Sequence, residues 1–417
     1  MADGSAKRSP TRGSRTICLP CKEEDYDAIV KDVKEFRAWL KHSFARHPEL
    51  FPEGFAKGFQ MVDRRTSKKM HLSLRRIQLR DGTRFTIRPS FVMPHMTARV
   101  DAVEKPLFLR KFGVPFWALA HVFGRNPMFW FRLECRLGDF SIVGTTVRQA
   151  ALPEHLVADE HHQTCDGEKV YVATTVGAGC CLGVAMAAKA DTADLTAAYQ
   201  VFRDEARNIQ ADYTPKTVST DGWKSTQAAW SALFVTIVVL RCFLHGWLKI
   251  RDRAKNLKQT FYDLSAKVWH AYHADNKRSF SQRLRQLAVW AAAHVSGVEL
   301  DAVHDLCAKK KLWLKHYDHP QGHRTSNMLD RVMRPMHRYF FDGQHLHGGQ
   351  ATNERHVRGW ALLWNFAPWN PATTKANAGW RSPAERLNKH RYHDNWLQNL
   401  LVAASLGGYR YRTPQEA

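Results

Sequence analysis

Apolar positions along the chain change their spacing several times. In DYDAIVKDVKEFRAWLKHSF, Ile29, Val30, Val33, Phe36, Trp39 and Leu40 fall near one face. That spacing predicts helix over residues 26–60. HLSLRRIQLRDGTRFTIRPS alternates instead, and Asp81-Gly82 divides it, which predicts a β-hairpin. In PLFLRKFGVPFWALAHVFGRNPMFWFRLECRLG, Pro115 and Pro127 open two short helical patterns. Gly124-Arg125 supplies the turn between them and Asn126 the cap of the second, the sequence form of a helix-turn-helix.

From residue 155 strands and helices alternate. HLVADEHH, EKVYVATTVGAG and CCLGVAMAA read as strands, DLTAAYQVFRDEARNI as an amphipathic helix and KTVSTD as a fourth strand. WKSTQAAWSALF then reads as a helix and TIVVLRCFLH as a fifth strand. The order β-β-β-α-β-α-β predicts an α/β fold with a mixed sheet, and it is the order of the ribonuclease-H-like fold. Residues 251–320 are helical in pattern and rich in Lys, Arg, Trp and His, as in an all-helical insertion. The resulting organisation is a disordered basic arm at 1–25, an N-terminal α+β region with a basic hairpin at 26–100, and a helix-turn-helix-like segment at 101–150. A catalytic domain follows at 151–345, interrupted at about 251–320, and a C-terminal helical region at 346–417 packs on the α/β body.

Charge narrows the class of partner. The 417 residues hold 62 Lys+Arg against 39 Asp+Glu, a net charge of +23. Such a balance favours a polyanion, most often nucleic acid, because each neutralised phosphate releases a counterion. The clustered bases mark candidate phosphate contacts: Arg75 and Arg76 in the hairpin, Arg132 and Arg136 on the second short helix, and Lys249 and Arg324 about the insertion. Eight cysteines make no disulfide framework, and MADGSAKRSPTRGSRT lacks the apolar core of a signal peptide. The longest apolar run, Ala229–Leu240, falls short of the roughly 20 residues that span a bilayer. It is therefore expected to be a buried element, and the protein to be cytoplasmic and nucleoid-associated, with no membrane partner.

Three acids fall where such a fold would gather them. Asp159 ends the first strand of the α/β region and Asp221 the fourth, which are neighbours in a sheet of this order. Paired carboxylates suit Mg²⁺, which takes oxygen ligands together with water and substrate phosphate. Asp330, opening a helix one turn from Asn327 after the insertion, is placed to complete the set. Each has an ordinary reading: Asp221 before Gly222 as a turn or cap residue, Asp330 as a first-turn acid. Alternation sends Asp159 and Glu160 to opposite faces, one into the site and the other to solvent. Cys242 and His245 form a C-x-x-H pair, for which structural zinc would need two further ligands; Cys18 and Cys21 form the only C-x-x-C.

The constellation resembles the DDE/D transposases of bacterial insertion sequences, particularly the Mutator-related group. VADEHH, TVSTDGWKST followed by RCFLH, and RTSNMLDR carry the resemblance, over roughly residues 150–345. In that family a C-x-x-H signature follows the second acid, as Cys242 and His245 do here. A helical insertion then precedes a third acid in a T-x-N-x-x-E/D-like segment, matched by Thr325, Asn327 and Asp330. Two departures stand out. The third acid is Asp where many members carry Glu, which leaves Glu354 as an alternative, and the first 100 residues match no known DNA-binding module.

The resemblance implies that Asp159, Asp221 and Asp330 hold two Mg²⁺ (or Mn²⁺) ions. Activated water would cleave the element ends, and the freed 3′-hydroxyl would attack target DNA. Cys242, His245 and Asn327 would lie beside the site, and Trp247, Trp269 and Trp290 of the insertion would help to hold DNA. The implied partners are double-stranded DNA, as element ends and target, and further copies of the chain in a synaptic dimer or larger assembly. The competing readings are an inactive or repurposed DNA-binding protein of the same fold, a ribonuclease-H-like nuclease that does not join strands, and a zinc-dependent nucleic-acid protein.

Overall fold

The computed structural model describes residues 15–148, 152–342 and 346–409. The first fourteen residues of the expected basic arm lie outside them, and within its remainder order begins at once. Thr16–Leu19 form a strand, β1, whose Ile17, Cys18 and Leu19 are buried. An apolar TICL run is better accommodated in a sheet than in water, and the Cys18 amide is satisfied by Ser405 Oγ at 3.1 Å.

The helix expected over 26–60 is two, α1 (Glu23–Lys31) and α2 (Val33–Arg46). Asp32 breaks it, because its carboxylate caps α2 by accepting the amides of Lys34 (2.6 Å) and Glu35 (3.2 Å). The chain continues through β2 (Phe59–Ser67), β3 (Leu72–Leu79) and β4 (Arg84–Pro89). The β3–β4 hairpin turns at Gly82, with φ of +82°, and the sheet order is β1-β4-β3-β2. Helices α3 (Val100–Arg110), α4 (Phe116–Phe123), α5 (Pro127–Leu137) and α6 (Ile142–Thr146) follow. Asn126 caps α5 by accepting the Met128 amide at 2.8 Å.

The α/β body has the expected element order: β5 (His155–Cys165), β6 (Glu168–Gly177), β7 (Cys180–Ala187), α7 (Thr192–Ile209), β8 (Thr217–Thr220), α8 (Lys224–Leu233) and β9 (Val238–Arg241). The sheet runs β7-β6-β5-β8-β9. Strands β5, β6 and β7 are antiparallel neighbours, while β8 and β9 run parallel to β5. The apolar stretch Ala229–Leu240 is not one buried element. It is the end of α8, a turn with Val235 91% exposed, and β9.

The insertion is all helical and begins earlier than residue 251: α9 (Phe243–Ala254), α10 (Gln259–Tyr272), α11 (Lys277–His294), α12 (Gly297–Ala308) and α13 (Lys310–Leu314). It has its own core, in which Phe243, Trp247, Leu264, Phe280 and Trp313 are buried. Trp247 and Trp269 are ring neighbours against that core, and Trp290 stacks on His294 at 4.5 Å. These tryptophans pack the insertion.

Five helices close the chain: α14 (Asn327–Asp342), α15 (Gln350–Phe366), α16 (Pro371–Ala376), α17 (Pro383–Asn388) and α18 (Trp396–Ala403). α14 and α15 cover one sheet face, over Val157, Val172 and Val184, in a core that continues through α18 into the N-terminal sheet. α7 and α8 cover the other face, over Leu156, Ala158 and Ala173. The molecule is thus an α/β protein with mixed sheets and a helical majority. Among the described residues no helix is long and apolar enough to cross a membrane, and all eight cysteines are free.

Candidate active site

Strand register brings the first two acids together. Leu156 and Val157 pair with Val218 and Ser219 in the β5–β8 ladder, and Ser219 and Thr220 pair with Leu240 and Arg241 in the β8–β9 ladder. Continued past the ladders, that register sets Asp159 level with Asp221, and Asp221 level with Cys242. Neighbouring strands lie about 4.8 Å apart, so the three residues form one row: Asp221 and Cys242 just past the carboxyl ends of β8 and β9, and Asp159, expected at the end of its strand, midway along β5, which runs on to Cys165 in its pairing with β6.

Alternation decides between the adjacent acids. Asp159 shares its face with Val157, under α14 and α15. Glu160 points the opposite way and accepts the hydroxyls of Tyr199 (2.7 Å) and Thr226 (2.8 Å). The expectation that the second acid is solvated is therefore corrected: Glu160 is buried between α7 and α8. At Asp221 the turn reading holds. Its Oδ1 accepts the Trp223 amide at 2.7 Å and so fixes the turn into α8, yet the residue also lines a cleft of about 600 Å³ with His162, Trp223, Arg241, His245 and Lys249.

The pair is electrostatically strained. Burial pushes the Asp159 carboxyl up to about 7, with the charges of Asp221 and Glu160 adding to the effect and the Glu160 amide and His245 opposing it. His245 is pushed up to about 9, first by its interaction with the Cys242 thiol, against desolvation, and further by the charges of Cys242, Asp159 and Asp221. Burial would raise the Cys242 thiol, but His245 and Ser326 more than offset it, and its pKa is lowered. The C-x-x-H pair thus sets a cationic imidazole against the two acids. His245 Nδ1 is buried without a hydrogen-bond partner among the described residues.

The third acid reaches this row through Cys242. The Ser326 amide donates to Cys242 Sγ at 3.1 Å, and Ser326 Oγ bonds Asp330 Oδ2 at 3.1 Å. α14 therefore starts beside the end of β9. Two turns beyond Asp330 and on the same helix face, His337 stacks on His161 of β5 at 5.3 Å. Asp330 thus lies between these two anchor points, and it is exposed. Asn327 opens the helix, also exposed. Glu354 belongs elsewhere: it is buried on α15, accepts the Met186 amide of β7 at 3.3 Å, and so lies two strands from β5.

Two hard carboxylates held level, one of them charged only at a cost, fit a divalent cation. Among the described residues no three His, Cys, Asp or Glu side chains are gathered into a ligand set for an ion. Asp159 and Asp221 are brought together and Asp330 stays at the edge, which suits an ion that takes further ligands from water and substrate.

Of the candidate phosphate contacts, three are corrected. Arg75 is buried, donating to the carbonyls of Val30 (2.7 Å) and Lys31 (2.9 Å) at the end of α1. Arg76 forms an ion pair with Asp63 of β2. Arg324 donates to the Tyr272 carbonyl at 2.8 Å and lies over the rings of Tyr272 and Tyr317. Arg132, Arg136 and Lys249 are exposed, Arg136 being held at 3.3 Å by Asp139. Sequence reasoning missed Arg241 and Trp223 on the cleft wall, although each is within two residues of a motif residue. No family model matches the chain and no curated protein matches it with significance.

Proposed function

We propose that the protein is a DNA transposase of the DDE/D type, built on a ribonuclease-H-like catalytic domain. The observation that carries the reading is the level placement of Asp159 and Asp221 on adjacent parallel strands, with Cys242 of the C-x-x-H pair completing the row. The strand order β7-β6-β5-β8-β9, the helical insertion after β9 and the return of the chain to Cys242 at α14 support the same fold and class.

Asp159 and Asp221 would hold a divalent cation, Mg²⁺ or Mn²⁺, with Asp330 of α14 the candidate third ligand where a second ion is bound. When bound, such ions activate the attacking oxygen and stabilise the leaving one in phosphodiester displacement. The chain's own residues prepare the site. Asp221 fixes the turn that presents it, through the Trp223 amide. His245 supplies positive charge that allows two carboxylates to stay close. Cys242 ties the start of α14 to the end of β9 and so positions Asp330. The exposed Arg132, Arg136 and Lys249 offer charge to DNA backbone, and joining two element ends requires a dimer or larger assembly in the nucleoid.

The test uses the full chain with Mg²⁺ and linear duplex DNA carrying the sequences that flank its gene. Wild type should nick the ends and join the 3′-hydroxyl to a second duplex, and Asp159→Asn and Asp221→Asn should each abolish both steps while retaining DNA binding. Hydrolysis without joining would instead support a nuclease. Binding without any cleavage would support a repurposed DNA-binding protein.

A further inference from the structure

Arg241 ends β9 one residue before Cys242, paired with Thr220. A Cβ at Gly222 would lie 2.6 Å from its Nε and 2.7 Å from its guanidinium carbon, so the side chain rests directly on the backbone beside Asp221. It also lies over the Trp313 ring at 5.9 Å. Its carbonyl is taken by His316 Nε2 at 2.8 Å. Its half-buried guanidinium has no hydrogen bond to any described residue. It lines two cavities, the cleft with Asp221, His245 and Lys249, and a second of about 390 Å³ with Lys224, Gln227, Ser231 and Lys315.

A guanidinium presents five donors in a planar fork that matches phosphate. Here the fork rests on the Gly222 backbone beside Asp221 and has no hydrogen-bond partner among the described residues. The carboxylates on its own side are Asp221, Asp252 and Asp305, of which Asp252 is engaged by Arg251 and Asp305 by Lys309. The cavity beyond it holds Lys224 and Lys315 and no acid. Positive charge therefore continues past Arg241, away from the carboxylates, along the edge strand of the sheet.

We propose that Arg241 grips a backbone phosphate next to the scissile one, and that the groove of Lys224 and Lys315 carries the adjoining DNA strand along the β9 edge. The assignment rests on the transposase reading for its scissile phosphate, but the groove can be tested by itself. Gly222 belongs to the device: it holds φ of +103°, and any side chain there would displace the guanidinium.

The experiment uses the full chain. First, DNA binding is measured without metal across KCl concentrations. Lys224→Gln/Lys315→Gln should flatten the slope of log K against log[salt] by roughly 0.7 to 0.9 per lost contact; an unchanged slope overturns the groove. Both lysines are exposed, so the variant tests binding and not folding. Second, in the Mg²⁺ reaction Arg241→Gln should lower kcat roughly 10- to 100-fold, as expected for a lost charge-assisted contact. Arg241→Lys should restore the salt slope but not kcat, because a point charge lacks the fork. Third, DNA with one uncharged methylphosphonate beside the cleavage position should slow wild type by the same factor, with no further loss in Arg241→Gln. Independent, multiplying losses would overturn the assignment of Arg241. If wild type cleaves nothing, the transposase reading and the role of Arg241 in it fail together, while the salt slopes still decide the groove.

Discussion

Replacing Asp159 by asparagine should make the metal-free protein more stable, and chiefly at neutral and alkaline pH. The Asp159 carboxyl is pushed from an ordinary 3.8 to about 7, by burial first and then by the charges of Asp221 and Glu160. The folded protein therefore keeps a proton that the unfolded chain releases near pH 4. The resulting destabilisation is absent below the unfolded value, grows as pH rises between about 4 and 7, and is complete above 7. Roughly three pH units at about 1.4 kcal/mol each set a ceiling near 4 kcal/mol. Coupling to the His245 imidazole lowers this, so about 2–4 kcal/mol is expected at pH 8. Asparagine keeps the shape of the side chain and removes the charge. Urea unfolding should thus find Asp159→Asn close to wild type at pH 4 and more stable at pH 8. Added Mg²⁺ should reverse the order at pH 8, because ion binding stabilises only the form with both carboxylates. A variant less stable than wild type at pH 8 without metal, or a difference that does not change with pH, would refute the reasoning.

Three further outcomes follow from the same geometry. His245 is pushed up to about 9 from 6.5, so its stabilising contribution is full below about pH 6.5 and lost as pH rises through about 9; His245→Gln should abolish that segment of the stability–pH curve. Arg75→Met should cost about 2–4 kcal/mol in urea unfolding, because two carbonyls lose charged donors, with no change in the salt slope of DNA binding. In the strand-transfer assay Asp330→Asn should abolish activity and Glu354→Gln should retain it, since Glu354 serves the β7 backbone.

The α/β body was legible because its signals are local. Buried strands read as apolar runs, tight turns join the first three, and Gly177-Ala178-Gly179 makes its turn with positive φ at Ala178 and Gly179. β1 was not legible, because TICL becomes a strand only by pairing with β4 some 70 residues on. β2 hid behind its own polarity: most of FQMVDRRTS is exposed, as an edge strand allows. Among the site residues, Asp221 could be placed at a strand end, but Asp159 could not be placed correctly, because β5 runs six residues past it through polar HHQTC in its pairing with β6, and the register that also aligns Cys242 depends on ladder pairing that no local pattern encodes. Arg75 carried a signal that charge obscured. It is in phase with Ile77 and Leu79, the buried face of β3, so alternation points it inward.

One contact bears on how such a chain can change over generations. The Phe243 amide donates to the Arg324 carbonyl at 2.9 Å, and the Ser326 amide to Cys242 Sγ, 84 positions apart. The insertion therefore leaves and rejoins the body at a stitch held by these two hydrogen bonds. Closing a longer or shorter loop at a fixed stitch costs little, about 0.6 kcal/mol for each doubling of length. With a core of its own, the insertion is free to drift, grow or be exchanged by recombination while the row of Asp159, Asp221 and Cys242 stays in place. The site and its helical neighbour are coupled in space but separable in evolution.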